Sequence, residues 1–244
     1  MKKNRSPKAV SSAHRILVSI LILLLGVAIL AACASTSPAT PTPTPSASVS
    51  SAPAAPGQTV FIVDTSQSEA SYTVHEQFFE RALSKLGIKP GKTIVTGTTR
   101  LVEGEIHVNL DDLSQPPTGT IIKVNLTGLK TDQSRRDKWI QEKGPNFLKY
   151  PIATFVAKAI RNAPAAYQEG QEMTFQLEGD LTIRDITRPV TFDVAAKIEK
   201  GVLTGTARTQ IKMTDFGIDP PNFAQTLSVG NDVIITVHIV ARQK

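Results

Sequence analysis

Two long stretches of alternating hydrophobic and polar residues stand out in the second half of the chain. Their apolar positions are Met173, Phe175, Leu177, Leu181 and Ile183 in the first stretch and Val190, Phe192, Val194, Ala196 and Ile198 in the second. Each stretch is about eleven residues long, which is near the upper limit for strands in globular sheets. A polar segment, 184–188, separates them, and Pro189 is expected to open the second strand or lie at its edge. The pattern predicts a β-hairpin whose long strands suit a barrel wall.

Similar alternation, broken by short polar segments, continues through the rest of the chain after Gln58. The predicted strands are 60–64, 71–75, 94–98, 102–110, 119–129, 152–160, 172–183, 190–199, 202–213 and 229–241. The first and third are interpreted as one interrupted edge. Two helices are predicted, at 132–141 with an Asp in the capping position, and at 77–86, either as a lid or as a surface helix. This pattern predicts an all-β domain.

The hairpin sequence GDLTIRDITRPVTFDV at 179–194 is similar to the signature of the YceI-like family, the bacterial polyisoprenoid-binding proteins with a lipocalin-like barrel. Three further segments agree in order: 131–155 with its Arg136-Asp137 pair and NFLKYPIATF, TDFGI at 214–218, and VGNDVIITVHIVA at 229–241. The resemblance implies an antiparallel lipocalin-like eight-stranded barrel over residues 58–244, with one or two short helices at the barrel ends. The chain departs from the signature at Asp185, where the family usually has Gly, so a positive φ is expected there.

The first 32 residues have the layout of a secretory signal. Five basic residues, the last at position 15, come before or at the start of an uncharged apolar run at 16–32. That run ends in Leu30-Ala31-Ala32-Cys33, which resembles a bacterial lipobox, in which the Cys is acylated and becomes the mature N-terminus. The sequence therefore predicts a lipoprotein signal peptide at 1–32 and an exported protein anchored at the extracytoplasmic face of the membrane through Cys33. An uncleaved membrane anchor is the alternative.

Residues 33–57 follow as a segment of Ser, Thr, Pro and Ala without charges. Such a composition cannot bury a core, and its Thr-Pro steps favour extended polyproline geometry. We expect a disordered linker that lifts the domain off the membrane.

The net charge of +6 is concentrated in the signal segment. Five of the 27 basic residues precede Cys33 and none of the 21 acidic residues does, so the rest of the chain has a net charge of +1. A nucleic-acid partner is therefore not expected, because no basic domain is left to neutralise phosphates.

Sequence motifs give no support for catalysis. The chain has no G-x-S-x-G motif, no P-loop and no dinucleotide fingerprint, and its single Cys is expected to be acylated. His75, His107 and His238 lie on different predicted strands, with only Glu105 close to one of them. We expect neither a metal site nor a cofactor, and no enzymatic activity.

The long apolar strand faces must point into a filled core or into a cavity, since an eight-stranded barrel is wide enough for either. On the strand at 202–213 three central inward positions are small, which would leave room, although neighbouring Phe side chains could fill it. The resemblance implies a cavity. The residues predicted to line it are Phe155, Phe175, Leu177, Leu181, Phe192, Val194, Leu203, Gly205, Ala207 and Ile211.

The function predicted on this basis is non-catalytic binding of an isoprenoid or another amphipathic lipid. A charged headgroup could be held by Arg135, Arg136 and Lys138, the densest basic group near a connection. Alternatively, these arginines could pair with Asp132, Asp137 or Asp215. The rival function is a filled-barrel module of the cell envelope that binds a partner protein. The oligomeric state is left open.

Overall fold

A barrel of antiparallel strands forms the part of the chain that the computed structural model describes, residues 54–79, 91–224 and 226–244. The strands are β1 Thr59–Val63, β2 Glu69–Phe78, β3 Gly91–Thr99, β4 Val102–Val108, β5 Ile121–Asn125, β6 Ile152–Arg161, β7 Met173–Ile183, β8 Ile186–Glu199, β9 Val202–Lys212, β10 Asn222–Phe223, β11 Leu227–Val229 and β12 Asp232–Gln243. One α-helix, α1 (Ser134–Glu142), and two 3-10 turns, Leu126–Gly128 and Met213–Phe216, accompany them. Cys33, the predicted signal peptide and nearly all of the predicted linker lie outside these ranges.

Eight strand positions close the sheet into a ring. From β4 the order runs through β5, β6, β7, β8 and β9 to β12, and β1 pairs with both β12 and β4. All of these pairings are antiparallel. The predicted all-β, antiparallel, eight-stranded barrel is confirmed.

Two of the eight positions in the ring are shared by pairs of shorter strands. β1 and β2 both lie on the side of β12 that faces away from β9, with Val63 opposite Ala241 and Glu69 opposite His238. β4 pairs with β1 and β3 pairs with β2, so β3 and β4 share the neighbouring position in the same way. The predicted pairing of the first and third strands as one interrupted edge is therefore wrong, because the first and second strands share that position.

The central hairpin is confirmed as β7 and β8, but its turn is tighter than predicted. Ile183 pairs with Ile186, so only two residues form the turn, and Pro189 lies inside β8 opposite Asp180. β8 pairs with β9 only from Asp193 onwards. This first part of β8 therefore has a strand neighbour on one side only, and Pro is tolerated at such an edge.

The connection between β5 and β6, residues 126–151, is named the crossover segment and contains α1. The helix begins at Ser134, and its N-cap residue is Gln133, which makes no side-chain cap hydrogen bond. Asp132 therefore does not cap the helix as predicted. Instead it forms an ion pair with Arg136. β5 ends at Asn125, far short of the predicted strand end at 129, because the Asn125 side chain accepts a hydrogen bond from the Thr127 amide and starts a 3-10 turn.

The second predicted helix, 77–86, is wrong at its start. Gln77 and Phe78 continue β2 and pair with Lys92 and Gly91 of β3. The rest of that prediction falls within 80–90, outside the described residues. Across the described ranges, no helix is long and apolar enough to cross a membrane.

The interior of the barrel is packed differently in its two halves. One half holds a dense cluster around Phe61, Val102 and Ala241, each with no exposed area. The other half holds two clusters that surround a large open volume. The fold therefore combines a solid core at one end of the barrel with a hollow at the other.

Candidate functional site

The hollow half of the barrel contains a cavity of about 1140 Å³. Its walls are mainly aliphatic and aromatic side chains from all eight strand positions, and α1 closes part of one end through Trp139 and Ile140. Ligand sites in proteins usually measure about 300–1,000 Å³ and have mostly apolar linings. The cavity is therefore large enough for a substantial apolar ligand.

Four of the ten predicted cavity residues line this volume: Phe155, Leu181, Phe192 and Ile211. The rings of Phe155 and Phe192 meet edge to face with centroids 5.0 Å apart. Gly179 permits this arrangement, because a Cβ there would lie 2.5 Å from the Phe155 ring. The two phenylalanines thus pack against the wall and leave the centre of this half open.

The other six predicted cavity residues lie elsewhere. Phe175, Leu177 and Leu203 line a separate space of about 70 Å³ in the packed half. Val194 and Ala207 border the cluster around Phe192 without lining either space. The remaining residue, Gly205, faces β8, where an added Cβ would stand 3.0 Å from the Ala196 Cβ. Alternation correctly places these residues on the inner side of their strands, but it cannot tell which half of the barrel is hollow.

A buried ion pair stands at the α1 end of the cavity. Glu76 points inward from β2 and is 4% exposed, and Arg136 of α1 donates to both of its carboxylate oxygens, from Nε at 3.0 Å and from Nη2 at 3.1 Å. The Arg136 Nη1 donates to Asp132 and to the Thr131 hydroxyl. The hydrogen bond from Arg136 lowers the pKa of the Asp132 carboxyl. Arg136 is therefore already neutralised by carboxylates of the chain itself.

The three predicted headgroup residues end up in different surroundings. Arg136 forms the pair with Asp132 that was the alternative to a headgroup contact, together with an unpredicted pair to Glu76. Arg135 is exposed at the cavity rim and has no ion-pair partner among the described residues. Lys138 lies outside the cavity lining, 4.0 Å from Glu142. Of the three, only Arg135 is a cation on the rim without such a partner.

Sequence reasoning missed the cavity residues at the end of β2, because the predicted strand stopped at 75 and a helix was predicted from 77. Glu76 and Phe78 continue the inward alternation of Ala70, Tyr72 and Val74, so a longer strand could have been read from the same pattern. Tyr72 lines the cavity, but its hydroxyl is buried and has no hydrogen-bond partner. Burial raises the pKa of this phenol.

Trp139 of α1 was also missed as a cavity residue. Its ring meets Phe223 of β10 edge to face at 6.0 Å, and both residues line the cavity. Gly144 makes space for the indole, since a Cβ there would lie 2.2 Å from it. The crossover segment and the β10–β11 hairpin thus meet over one end of the barrel.

The three histidines of the described residues lie on different strands. His107 is 1% exposed and its Nε2 lies 3.2 Å from Glu105, whereas His75 and His238 are exposed on other strands. Within the part of the chain that the structure describes, no three His, Cys, Asp or Glu side chains are grouped so that they could hold a metal ion.

Solved structures share this barrel. Burkholderia cenocepacia BcnA superimposes with a TM-score of 0.54 at 19% identity, covering 73% of this chain and 98% of that one. A polyisoprenoid binding domain from Saccharophagus degradans, implicated in plant cell wall breakdown, gives a TM-score of 0.53 at 10% identity and covers 76% and 98%. At these identities the similarity establishes a common fold.

Sequence comparison gives closer relationships. A UPF0312 protein of Pseudomonas putida strain W619 is 32% identical over 151 residues, which is 57% of this chain and 72% of that protein. A UPF0312 protein of Pseudomonas fluorescens strain SBW25 is 32% identical over 120 residues, 45% of this chain and 58% of its own length. The family model for the YceI-like domain matches residues 61–241, which is nearly the whole barrel. The chain therefore belongs to the YceI-like domain family.

Proposed function

We propose that this protein binds a polyisoprenoid or a similar long-chain amphipathic lipid in the barrel cavity, without catalysing a reaction. The observation that carries the proposal is the apolar cavity of about 1140 Å³ in one half of a barrel whose other half is solid. At roughly 30 Å³ per non-hydrogen atom, the share of one water molecule in the liquid, this volume accommodates on the order of 35 to 40 atoms. Such a ligand has the size of a long lipid chain.

Burial of the chain supplies enough free energy for binding. Each methylene transferred from water gains about 0.8 kcal/mol, so about ten of them gain about 8 kcal/mol before the cost of association. This gain corresponds to an affinity in the micromolar range. A lipid would therefore need few polar contacts with the rim. The structural neighbour described as a polyisoprenoid binding domain supports this class of ligand.

The alternative of a completely filled barrel that serves only as a protein-binding module has less support. The side chains that fill the barrel occupy the half around Phe61 and Val102, and the half around Phe155 and Phe192 contains the cavity. A role in protein binding alone does not explain the presence of this apolar cavity.

We also propose that the barrel works outside the cytoplasm, tethered to the membrane by acylated Cys33. The support is the apolar run at 16–32 with Leu-Ala-Ala-Cys at its end, followed by a Pro-rich linker of about 25 residues. A tether of this kind would keep the cavity close to a source of lipid while allowing the barrel to reorient.

The test of lipid binding is extraction of the purified full-length protein with organic solvent, followed by mass spectrometry of the extract. We expect one class of long-chain lipid in an amount close to one molecule per protein. An unrelated exported protein from the same cells, purified in the same way, is the control for adhering membrane lipid. Equal lipid content in both preparations, combined with no uptake of added prenol by the delipidated protein, would refute the proposal.

A further inference from the structure

Three buried residues on neighbouring strands lie at the boundary between the hollow and the packed half of the barrel. Val237 of β12 lies opposite Ala70 of β2, and Ala70 lies opposite Thr99 of β3. All three line the cavity, and they are 8%, 5% and 3% exposed. These three residues are called the cavity floor.

The floor is backed by solid packing. Ala70 and Val237 belong both to the cavity lining and to the dense cluster that contains Phe61 and Val102, which have no exposed area. The Thr99 hydroxyl donates to the Asn125 carbonyl at 3.2 Å, so it offers no free donor to a ligand. A chain that reaches the floor cannot extend further into the barrel.

The charged groups of the cavity lie at the opposite end. Along β2 the inward positions run from Ala70 at the floor to Glu76 and Phe78, which lie about 20 Å and about 26 Å away at roughly 3.3 Å per residue. Glu76, Arg136 and Arg135 are grouped near the far end of this line. An amphipathic ligand therefore gains most by placing its apolar tail at the floor and its head at the rim.

We propose that the cavity floor determines the length of lipid chain that the protein accepts, with Ala70 and Val237 as the specificity-determining residues. This inference rests on the proposed function. A larger side chain at Ala70 shortens the available depth, and a smaller one at Val237 extends it. One methylene in an apolar pocket changes discrimination by about tenfold or more, so single substitutions suffice to move the preference.

The experiment measures binding of three prenols of increasing length, farnesol, geranylgeraniol and solanesol, to the delipidated full-length protein. The readout is the fluorescence of Trp139, the sole tryptophan of the chain, which lines the cavity. For Ala70→Leu we expect solanesol affinity to fall at least about tenfold relative to farnesol. For Val237→Ala the ratio of the two affinities should move in the opposite direction.

Ala153→Leu is the matched control, because it makes the same chemical change at a lining residue that packs with Ile140 and Phe147 of the crossover segment. It should alter the affinities for all three prenols by a similar factor. If Ala70→Leu fails to fold, the ratio of solanesol to farnesol affinity in Val237→Ala still tests the proposal. The inference would be overturned, and lipid binding left intact, by either of two results. One is an unchanged ratio of solanesol to farnesol affinity in Val237→Ala, and the other is an equal shift of that ratio in Ala153→Leu and Ala70→Leu. Absence of binding to every prenol by the parent protein would overturn both proposals.

Discussion

Arg136 binds both carboxylate oxygens of Glu76, and this contact fastens α1 to the barrel wall across the end of the cavity. The Glu76 side chain is 4% exposed and that of Arg136 is 18% exposed, so both charges are largely removed from water. Removing one partner of a buried ion pair leaves the other uncompensated, and this typically costs about 3 to 5 kcal/mol. The pair is therefore a sensitive point of the crossover segment.

We predict that Arg136→Met lowers the free energy of unfolding by about 3 kcal/mol, because Glu76 stays buried without its partner. The double variant Glu76→Leu with Arg136→Met should lose less than Arg136→Met alone, since no charge is left buried. Urea denaturation of the parent, of Arg136→Met, of Glu76→Leu and of the double variant gives the coupling energy between the two side chains. Losses that simply add would show that the two side chains contribute independently.

The two-residue turn between β7 and β8 contains one residue in the left-handed backbone region. The positive φ lies at Arg184, with a value of 57°, and Asp185 has none. The expectation of a positive φ at Asp185 is therefore wrong: the two-residue turn places the left-handed residue one position earlier. Arg184 also lies over the Tyr150 ring, 5.0 Å from its centroid, and donates to the Gly217 carbonyl.

We predict that Arg184→Val destabilises the protein more than Arg184→Gly does, by about 1 kcal/mol. Both variants lose the contacts to Tyr150 and Gly217, but Gly adopts a positive φ without steric cost and Val does not. Asp185→Val should change stability by less than about 0.5 kcal/mol. Thermal melts of the three variants test this order, and a larger loss in Asp185→Val than in Arg184→Val would contradict it.

The sequence predicted the barrel because alternation reports directly which side of a strand is buried, and the long runs at 173–183 and 190–198 are unambiguous. It could not predict which half of the barrel is hollow. Phe155 and Phe175 have the same pattern and the same residue type, yet one lines the large cavity and the other the packed half. Their difference depends on which side chains meet across the barrel, and such contacts are set by the register of distant strands.

The same limit explains the polar end of the site. Arg136 and Glu76 are 60 residues apart, and no local pattern brings them together. The pair of Arg136 with Asp132 was among the predicted alternatives, and these two residues are only four positions apart in the sequence.

Tyr72 gives a prediction with a defined pH dependence. Its hydroxyl is buried without a partner, and burial raises the pKa of the phenol above its ordinary value. A raised pKa means that the folded protein holds the phenol proton more tightly than the unfolded chain does. The contribution of this proton to stability is complete below the unfolded pKa of about 10 and is lost as the pH rises above that value. The parent protein should therefore become less stable in alkali.

We predict that Tyr72→Phe is as stable as the parent protein at neutral pH or slightly more stable, because it removes an unpaired buried hydroxyl. Above pH 10 its advantage should grow, since one ionisation that opposes folding is absent. Denaturation curves of both proteins at neutral and alkaline pH provide the measurement. A clear loss of stability at neutral pH would show that the hydroxyl has a favourable partner, and a loss of lipid affinity alone would identify that partner as the ligand.

The proposed membrane anchor is tested at Cys33. Cys33→Ser should block acylation, so the precursor should remain uncleaved or leave the membrane fraction. Ala34→Ser places the same hydroxyl at the next position and is the matched control, expected to behave like the parent. Labelling with a radioactive fatty acid and fractionation of the cells provide the readout. Normal processing and membrane association of Cys33→Ser would remove the anchor from the proposal.

The last prediction separates cavity wall from packed interior by adding the same ring at two positions. Ala207 lies outside the cavity lining and borders the cluster around Phe192, whereas Val95 is 4% exposed and faces the cavity. Overpacking a dense interior typically costs about 1 to 3 kcal/mol. Ala207→Phe should therefore lower the melting temperature of the delipidated protein. Val95→Phe should keep most of that stability, because its ring enters open space.

Lipid binding should respond in the opposite order. The ring of Val95→Phe occupies volume that a prenol would take, so this variant should lose affinity, while Ala207→Phe should retain it as long as it is folded. Melting of the delipidated samples and prenol titration of the same samples are measured side by side. If Ala207→Phe keeps its melting temperature and loses the lipid, the open volume extends along β9 from Ile211 to Ala207, which would contradict the prediction.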